Sequence, residues 1–218
     1  MGQTIRMQLS AIVVEDDPLT RVSLTGALKN AGVQVIGEAS TASDAIALSK
    51  KLKPEVAILD LHLGAGPTGI DVAHAFRRQD PSIGIVFLTS YEDPRLLQPN
   101  LPPLPGGSIY LRKRSVTGMD VLENAIKDSL RQVRDPEHGA SQTIISSLTS
   151  TQIETLKLVA QGLSNSEIAK RRFVKESSVE VTITRMAKAL GMPQDAATNN
   201  RVHLANVYFR AIGMNPND

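Results

Sequence analysis

Four short apolar runs in the first half of the chain each end in polar residues that suit phosphate chemistry. The first run ends at acidic residues, the second at an aspartate and the third at two hydroxyl residues, and a lysine follows the fourth. A carboxylate can attack phosphorus, while a hydroxyl group and an ammonium group stabilise charge on the transferred oxygens. In chain order these endings are Glu15 with Asp16, then Asp60, then Thr89 with Ser90, and finally Lys113.

The elements that position these residues are predicted to form one sheet. Short apolar runs that alternate with helical patterns are typical of buried parallel strands. We therefore predict an α/β fold with a doubly wound, five-stranded parallel sheet. Ligands of such a sheet bind outside the carboxyl ends of its strands, so the polar endings should meet in one crevice. Asp16 and Asp60 would repel each other there unless a hard cation such as Mg²⁺ neutralises them.

Each of these residues also has an ordinary interpretation. The acids after the first run could cap a helix and interact with its dipole. Asp60 could be a turn residue, Thr89 a strand end and Lys113 a solvated lysine. The phosphate hypothesis depends on their joint occurrence in one order.

The order and spacing of these residues resemble the receiver domain of two-component response regulators, over residues 8–133. The resemblance implies a flavodoxin-like fold in which Asp60 accepts a phosphoryl group from a histidine kinase. It also implies that Asp16, Asp60 and the backbone carbonyl of His62 bind Mg²⁺, with Glu15 acting through water. The phosphate-binding and switch positions that it implies are Thr89, Ser90, Tyr110 and Lys113.

Residues 93–107 depart from the pattern of alternating strands and helices, because they are rich in proline. Proline in a helix interior removes a hydrogen-bond donor and clashes with the preceding turn. We therefore predict that this segment holds no regular helix of several turns, and that it is a mobile or extended loop. Its prolines are Pro94, Pro99, Pro102, Pro103 and Pro105.

The C-terminal part, residues 148–218, is predicted to be helical throughout. Ser164 and Glu167 have the spacing of a capping box, and a tight segment at 172–175 separates two of the helices. This is a helix-turn-helix arrangement. Residues 148–218 carry 9 Lys/Arg against 6 Asp/Glu, whereas residues 1–147 carry 15 against 16. The positive excess favours a polyanionic partner.

The motif at residues 161–169, followed by Ser178-Val179 and Leu190-Gly191, resembles the LuxR/FixJ-type output domain. The resemblance implies a DNA-binding domain over 148–214, joined by a linker at 134–147, with its recognition helix at about 177–190. A capping box between Ser177 and Glu180 would start that helix late. The residues expected to face DNA are Ser178, Glu180, Val181, Thr182, Thr184, Arg185 and Lys188.

The side chains on this helix predict different kinds of contact. Val181 and the methyl group of Thr182 suit thymine methyls, and Glu180 could accept from cytosine. Arg185 and Lys188 suit phosphate. A homodimer would match paired half-sites, and a later helix offers one apolar face for self-association. That face comprises Ala205, Tyr208, Phe209 and Ile212.

The predicted function is phosphorylation-dependent transcription regulation. We expect no enzymatic activity beyond phosphorylation of the protein itself from small phosphodonors and its own dephosphorylation. Cysteine is absent, which excludes disulfides and thiolate metal sites. No apolar run of membrane-spanning length and no signal peptide is recognised, so we expect a cytoplasmic protein without a membrane partner.

Two alternative functions stay open. One is a Mg²⁺-dependent phosphohydrolase, although its familiar form needs a second Asp at the position where this chain has His62. The other is an adaptor that binds a protein partner and never DNA.

Overall fold

A computed structural model describes residues 9–98, 100–133, 144–192 and 199–214. The chain divides into two compact units. The first unit comprises Met1–Thr89 and Pro102–Ala140, and the second comprises Ser90–Leu101 and Ser141–Asp218. Each predicted domain, 8–133 and 148–214, is one continuous stretch of chain. The first unit is not continuous, because the segment Ser90–Leu101 within it belongs to the second unit.

The first unit contains the predicted five-stranded parallel sheet. Its strands lie in the order β2-β1-β3-β4-β5, so the connection from β2 to β3 crosses over β1. The order and the parallel pairing confirm the flavodoxin-like α/β fold. The strands are β1 (Ser10–Val14), β2 (Gln34–Ala39), β3 (Val56–Leu59), β4 (Gly84–Thr89) and β5 (Ile109–Arg112).

In the part of the first unit that the structure describes, four helices cover this sheet: α1 (Pro18–Asn30), α2 (Ala42–Leu52), α3 (Gly69–Gln79) and α4 (Met119–Gln132). Helix α1 has a favourable start, because Asp17 accepts a hydrogen bond from the backbone nitrogen of Thr20 at 2.7 Å and Pro18 occupies the first turn. Residues of β1, β3 and β4 are buried along their lengths, which explains why these strands read as continuous apolar runs.

Between β4 and β5, the described residues form only a short 3-10 helix, Pro94–Leu96. The prediction that the prolines exclude a regular helix is therefore confirmed. The expectation of a mobile or extended loop is wrong for the beginning of this segment, because Leu96 is buried and Asp93 caps the 3-10 helix.

Among its described residues the second unit contains four α-helices, in agreement with the prediction that the C-terminal part is helical. Thr149 and Ser164 form complete capping boxes with Gln152 and Glu167 respectively. A 3-10 helix, Ile144–Ser147, precedes these helices, and its Ile145 is buried. The end of the predicted linker at 134–147 is therefore regular structure. The rest of that linker, residues 134–143, lies outside the described residues. The helices are α5 (Ser150–Ala160), α6 (Asn165–Arg172), α7 (Glu176–Ala189) and α8 (Asn200–Ala211).

The described helices include none that is both long enough and apolar enough to cross a lipid bilayer.

One glycine lets the chain turn tightly behind Asp60. A Cβ atom at Gly69 would lie 1.9 Å from the carbonyl oxygen of Asp60, far inside van der Waals contact. The Gly69 backbone nitrogen also donates to the carbonyl oxygen of Leu61 at 2.9 Å. The start of α3 is therefore held directly against the loop that carries Asp60.

We predict that Gly69→Ala destabilises the first unit by about 3 kcal/mol, because the clashing atoms belong to the backbone and cannot rotate away. Urea unfolding followed by circular dichroism measures the change. Gly26→Ala is the matched control: no atom lies within 4 Å of a Cβ at that position in α1, so the free energy of unfolding should rise by roughly 0.5–1 kcal/mol. Equal stability of Gly69→Ala and the parent would contradict the argument.

Candidate phosphoacceptor site and nucleic-acid interface

Three carboxylates meet at the carboxyl edge of the sheet. Strands β1 and β3 are neighbours in register, with Val14 opposite Leu59, so the residues that follow each strand lie side by side. One carboxylate oxygen from each of Glu15, Asp16 and Asp60 lies within 4.8 Å of the others. Glu15 and Asp60 are buried, whereas the side chain of Asp16 is one-third exposed.

Lys113 supplies positive charge to this cluster. It follows directly after β5, and its ammonium nitrogen lies 2.7 Å from Glu15 Oε2 and 2.9 Å from Asp60 Oδ2. One cation thus bridges two of the three carboxylates. The cluster keeps a net negative charge when all three acids are ionised, which favours a further cation.

The protonation of two groups reflects this crowding. The pKa of Glu15 is raised from 4.5 to about 6, mainly by burial and also by the charge of Asp60, against the opposing hydrogen bond and charge of Lys113. Burial acts to lower the pKa of Lys113, but its hydrogen bonds to Glu15 and Asp60 and their charges outweigh that effect, so the pKa is raised. Lys113 therefore remains an ammonium ion at neutral pH.

Backbone groups fix the acidic side chains and their loop. The Asp60 carboxylate accepts a hydrogen bond from the backbone nitrogen of Leu61 at 2.6 Å. The guanidinium of Arg21 in α1 donates to the carbonyl oxygens of Glu15 at 2.7 Å and of Asp16 at 3.3 Å. Sequence reasoning missed Arg21; its position in the first turns of the helix that follows the acids is the signal that could have found it.

The other predicted switch residues have different surroundings. Thr89 is fully buried at the end of β4, and the rings of Tyr110 and Phe87 lie 6.4 Å apart between centroids. The Nδ1 atom of His62 lies 3.2 Å from Asp16 Oδ2, so its imidazole contacts the acid cluster. Ser90 belongs to the second unit and not to the unit that holds these residues.

The predicted recognition helix corresponds to α7. It begins at Glu176 after Lys175, which makes no side-chain capping bond, so the alternative start at a Ser177 capping box is wrong. Val179 and Ile183 are buried with the core of the unit. Of the seven predicted DNA-facing residues, Thr182 is half-buried and the rest are exposed: Ser178, Glu180, Val181, Thr184, Arg185 and Lys188.

The two threonines of α7 use their hydroxyl groups within the helix. Thr182 Oγ1 donates to the carbonyl oxygen of Ser178 at 2.8 Å, and Thr184 Oγ1 donates to that of Glu180 at 3.0 Å. Their methyl groups are then the parts left for contacts with a partner. Val181, 47% exposed, adds an apolar side chain to the same helix.

The turn between α6 and α7 contains one residue in the left-handed region, Phe173, with φ 54° and 96% exposure. Arg172, beside it, donates to Thr155 Oγ1 at 2.7 Å and lies 3.4 Å from Glu154, which anchors α6 to α5. Arg172 therefore has a structural role, whereas Arg171 is exposed.

Comparison with known proteins identifies both parts of the chain. Residues 11–124 match the family described as response regulator receiver domain, and residues 146–208 match bacterial regulatory proteins of the luxR family. The chain belongs to the response regulators. Its output part is of the LuxR type, as the helix-turn-helix pattern predicted.

Several relatives match this response regulator over most of their length. It is 30% identical over 200 residues to the DNA-binding transcriptional activator DevR/DosR of Mycobacterium tuberculosis, covering 84% of this chain and 89% of that protein. It is 27% identical over 215 residues to the transcriptional regulatory protein LiaR of Bacillus subtilis, covering 91% and 100%. These relatives leave the phosphohydrolase and adaptor alternatives without support.

A solved structure of the two-component response regulator RcsB in complex with DNA shares the fold. Its TM-score is 0.55 at 21% identity, covering 94% of this chain and 99% of that one.

The acid cluster of this response regulator fits a divalent cation of the Mg²⁺ type. Its donors are hard carboxylate oxygens from residues on two adjacent strands, and the partly exposed Asp16 leaves one side open to water. No sulfur or imidazole cluster competes for a softer metal among the described residues.

We predict that Glu15→Gln stabilises the Mg²⁺-free protein at pH 8 by about 2 kcal/mol, since a pKa raised from 4.5 to about 6 means that folding favours the protonated acid. The parent loses this stability as pH rises from about 4.5 to about 6, so the advantage of the variant should vanish at pH 4. Urea unfolding at both pH values tests it, with the exposed Glu38→Gln as control. A pH-independent difference would contradict the prediction.

Proposed function

We propose that this response regulator accepts a phosphoryl group on Asp60 from a histidine kinase and, in response, binds promoter DNA through α7. The observation that supports this most is the shared ion pair of Lys113 with Asp60 and Glu15, beside the third carboxylate of Asp16. In this arrangement Asp60 would be the nucleophile, the three carboxylates would bind the cation and Lys113 would be the phosphate-binding ammonium group.

In the proposed reaction, a carboxylate oxygen of Asp60 forms a bond to phosphorus while the bond between phosphorus and the donor breaks. The donor keeps that electron pair and is the phosphohistidine of the kinase or a small acyl phosphate. Bound Mg²⁺ would neutralise charge on the phosphoryl oxygens, held by Asp16 and Asp60 directly and by Glu15 through water, with the His62 carbonyl as a further ligand.

Two residues would then hold the new phosphoryl group. Lys113 can exchange its hydrogen bond to Asp60 for one to a phosphoryl oxygen, while its contact with Glu15 keeps the ammonium in place. The hydroxyl of Thr89 would donate to a second oxygen, and Tyr110 would follow this movement.

For DNA, Val181, with the methyl group of Thr182, would contact thymine methyls, and Glu180 a cytosine amino group. Phosphates or base edges would be contacted by the remaining exposed side chains of α7, which are Ser178, Thr184, Arg185 and Lys188.

We further propose a homodimer that matches paired half-sites. The apolar face predicted on α8 is largely used within its own unit, because Tyr208 is buried in the core and Phe209 and Ile212 pack against that core. Because its proposed ligand is promoter DNA, we propose that the protein acts in the cytoplasm.

The phosphorylation chemistry predicts a simple mass change. Incubation with acetyl phosphate and Mg²⁺ should add one phosphoryl group to the intact protein, and Asp60→Asn should abolish the addition. Asp128→Asn, an exposed carboxylate in α4, is the control and should react as the parent does. Undiminished incorporation in Asp60→Asn, or a normal rate after chelation of divalent metal, would refute the assignment.

The proposed DNA contacts predict a steep dependence on salt. Removing two phosphate contacts in Arg185→Ala/Lys188→Ala should reduce the slope of log affinity against log salt by about 0.9 for each contact. Fluorescence anisotropy with duplex DNA over a range of NaCl concentrations measures the slope. The charge-matched control is Lys50→Ala/Lys51→Ala on the exposed surface of α2. An equal loss in both double variants would mean that overall charge, and not α7, governs binding.

A further inference from the structure

A segment of the receiver sequence is built into the second unit. Residues 90–97, which we call the strap, follow Thr89 directly and lie within the range 11–124 that matches the receiver family. The strap nevertheless groups with the helices of the second unit. The chain therefore passes from the first unit to the second at the peptide bond between Thr89 and Ser90.

The strap contributes a side chain to the hydrophobic core of the second unit. Leu96 is 2% exposed and packs in one cluster with residues of α5 and of the preceding 3-10 helix, including Ile145, Ile153 and Leu156. Tyr91 packs against the same cluster and raises the pKa of Tyr208 in α8, after the larger effect of burial. Burial of a leucine to this degree contributes as much as a regular core residue of the unit.

Polar bonds fix the strap on the same side of the unit. Asp93 holds the guanidinium of Arg95 with two hydrogen bonds, of 2.9 and 2.7 Å. That guanidinium donates to the carbonyl oxygen of Leu148 at 2.8 Å and to that of Ile145 at 3.4 Å. The bidentate ion pair within the strap orients the guanidinium, and the two bonds from that guanidinium to the carbonyl oxygens anchor the strap to the rest of the unit.

A second anchor lies at the C-terminal end of α8. The backbone nitrogen of Glu92 donates to the carbonyl oxygen of Ala211 at 2.7 Å, which satisfies one of the free carbonyls of the last turn. Ser90 lies so close to Gly213 that a Cβ atom there would be 2.9 Å from the Cβ of Ser90. The first residues of the strap thus contact the end of α8 directly.

Only a short stretch of chain joins Thr89 to these anchors. Two residues, Ser90 and Tyr91, lie between Thr89 and Glu92, and the three residue steps span at most about 10 Å when fully extended. A shift of Thr89 toward a phosphoryl group must therefore be absorbed by Ser90 and Tyr91 or be passed on to α8 and α5.

We propose that the strap carries the phosphorylation state of Asp60 to the DNA-binding unit through the main chain. Movement of Thr89 pulls on the bond between Glu92 and α8 and on the Arg95 and Leu96 anchors at the start of α5. This coupling rests on the proposed function and specifies how that function is regulated. It needs no signalling helix between β4 and β5, where the described residues have only the 3-10 helix Pro94–Leu96.

The test lengthens the tether without removing any anchor. Two glycines are inserted between Ser90 and Tyr91 of the full-length protein, and the matched control carries the same insertion between Asn100 and Leu101, after the strap. Hydrogen exchange is measured by mass spectrometry with Mg²⁺, with and without beryllofluoride, a phosphoryl mimic. The reporting peptides cover the region of Asp60, helix α5 and the last turn of α8.

In the parent and in the control, beryllofluoride should change exchange both near Asp60 and in α5 and α8. In the 90/91 insertion the change near Asp60 should remain, and the change in α5 and α8 should be lost. Persistence of the α5 and α8 response in that variant would overturn the coupling, as would its loss in both insertions or its absence in the parent. No response near Asp60 in the parent would instead overturn the proposed function, and the coupling with it.

A substitution gives a second, independent readout. Arg95→Ala removes the bonds to Leu148 and Ile145, and Arg78→Ala in α3 removes an exposed arginine as control. Affinity for duplex DNA at fixed salt should differ with and without beryllofluoride in the parent and in Arg78→Ala. It should be the same under both conditions in Arg95→Ala. A parent-like beryllofluoride effect in Arg95→Ala would contradict the role of the strap.

Discussion

Electrostatic repulsion among Glu15, Asp16 and Asp60 is the constraint on which the arrangement of the first unit depends. The parallel register of β1 and β3 forces these acids together, and Lys113 offsets only part of their charge. Arg21 binds the backbone oxygens of Glu15 and Asp16 in the same loop. The fold thus concentrates negative charge at this edge of the sheet, where it favours a divalent cation. The raised pKa of Glu15, caused first by burial and then by the charge of Asp60, reflects the free energy that ionising this acid costs in the folded protein.

Much of this could be predicted from the sequence, because the signals were local. Apolar runs marked β1, β3 and β4, and the residues directly after them had to share one edge of the sheet. Caps at Asp17 and Ser164 marked helix starts. The bonds from Arg172 to Thr155 and from Arg95 to Leu148 were missed because they join residues 17 and 53 positions apart, and such pairs leave no periodic pattern. For the same reason no sequence pattern indicated that residues 90–97 group with the second unit.

The recognition helix depends on contacts far from its exposed surface. Arg172 ties the end of α6 to α5, and Arg201 at the start of α8 donates to Asn165 and to the carbonyl oxygen of Leu163, near the start of α6. These bonds fix α6 from both ends, while Val179 and Met186 fix α7 to the core. The scaffold that presents the exposed residues of α7 therefore does not depend on those residues.

The location of Leu96 has a consequence for how this chain can be divided or recombined. Receiver and output regions are usually treated as separable modules, joined at a linker. Here a fragment that starts after that linker would lack Leu96 and Arg95, and would expose the apolar surface of Ile153 and Leu156 that packs in one cluster with Leu96. A chimera that supplies another receiver would lack them as well. Transfer of this output region to a new sensor therefore requires that its missing piece, encoded some fifty residues upstream, be transferred too.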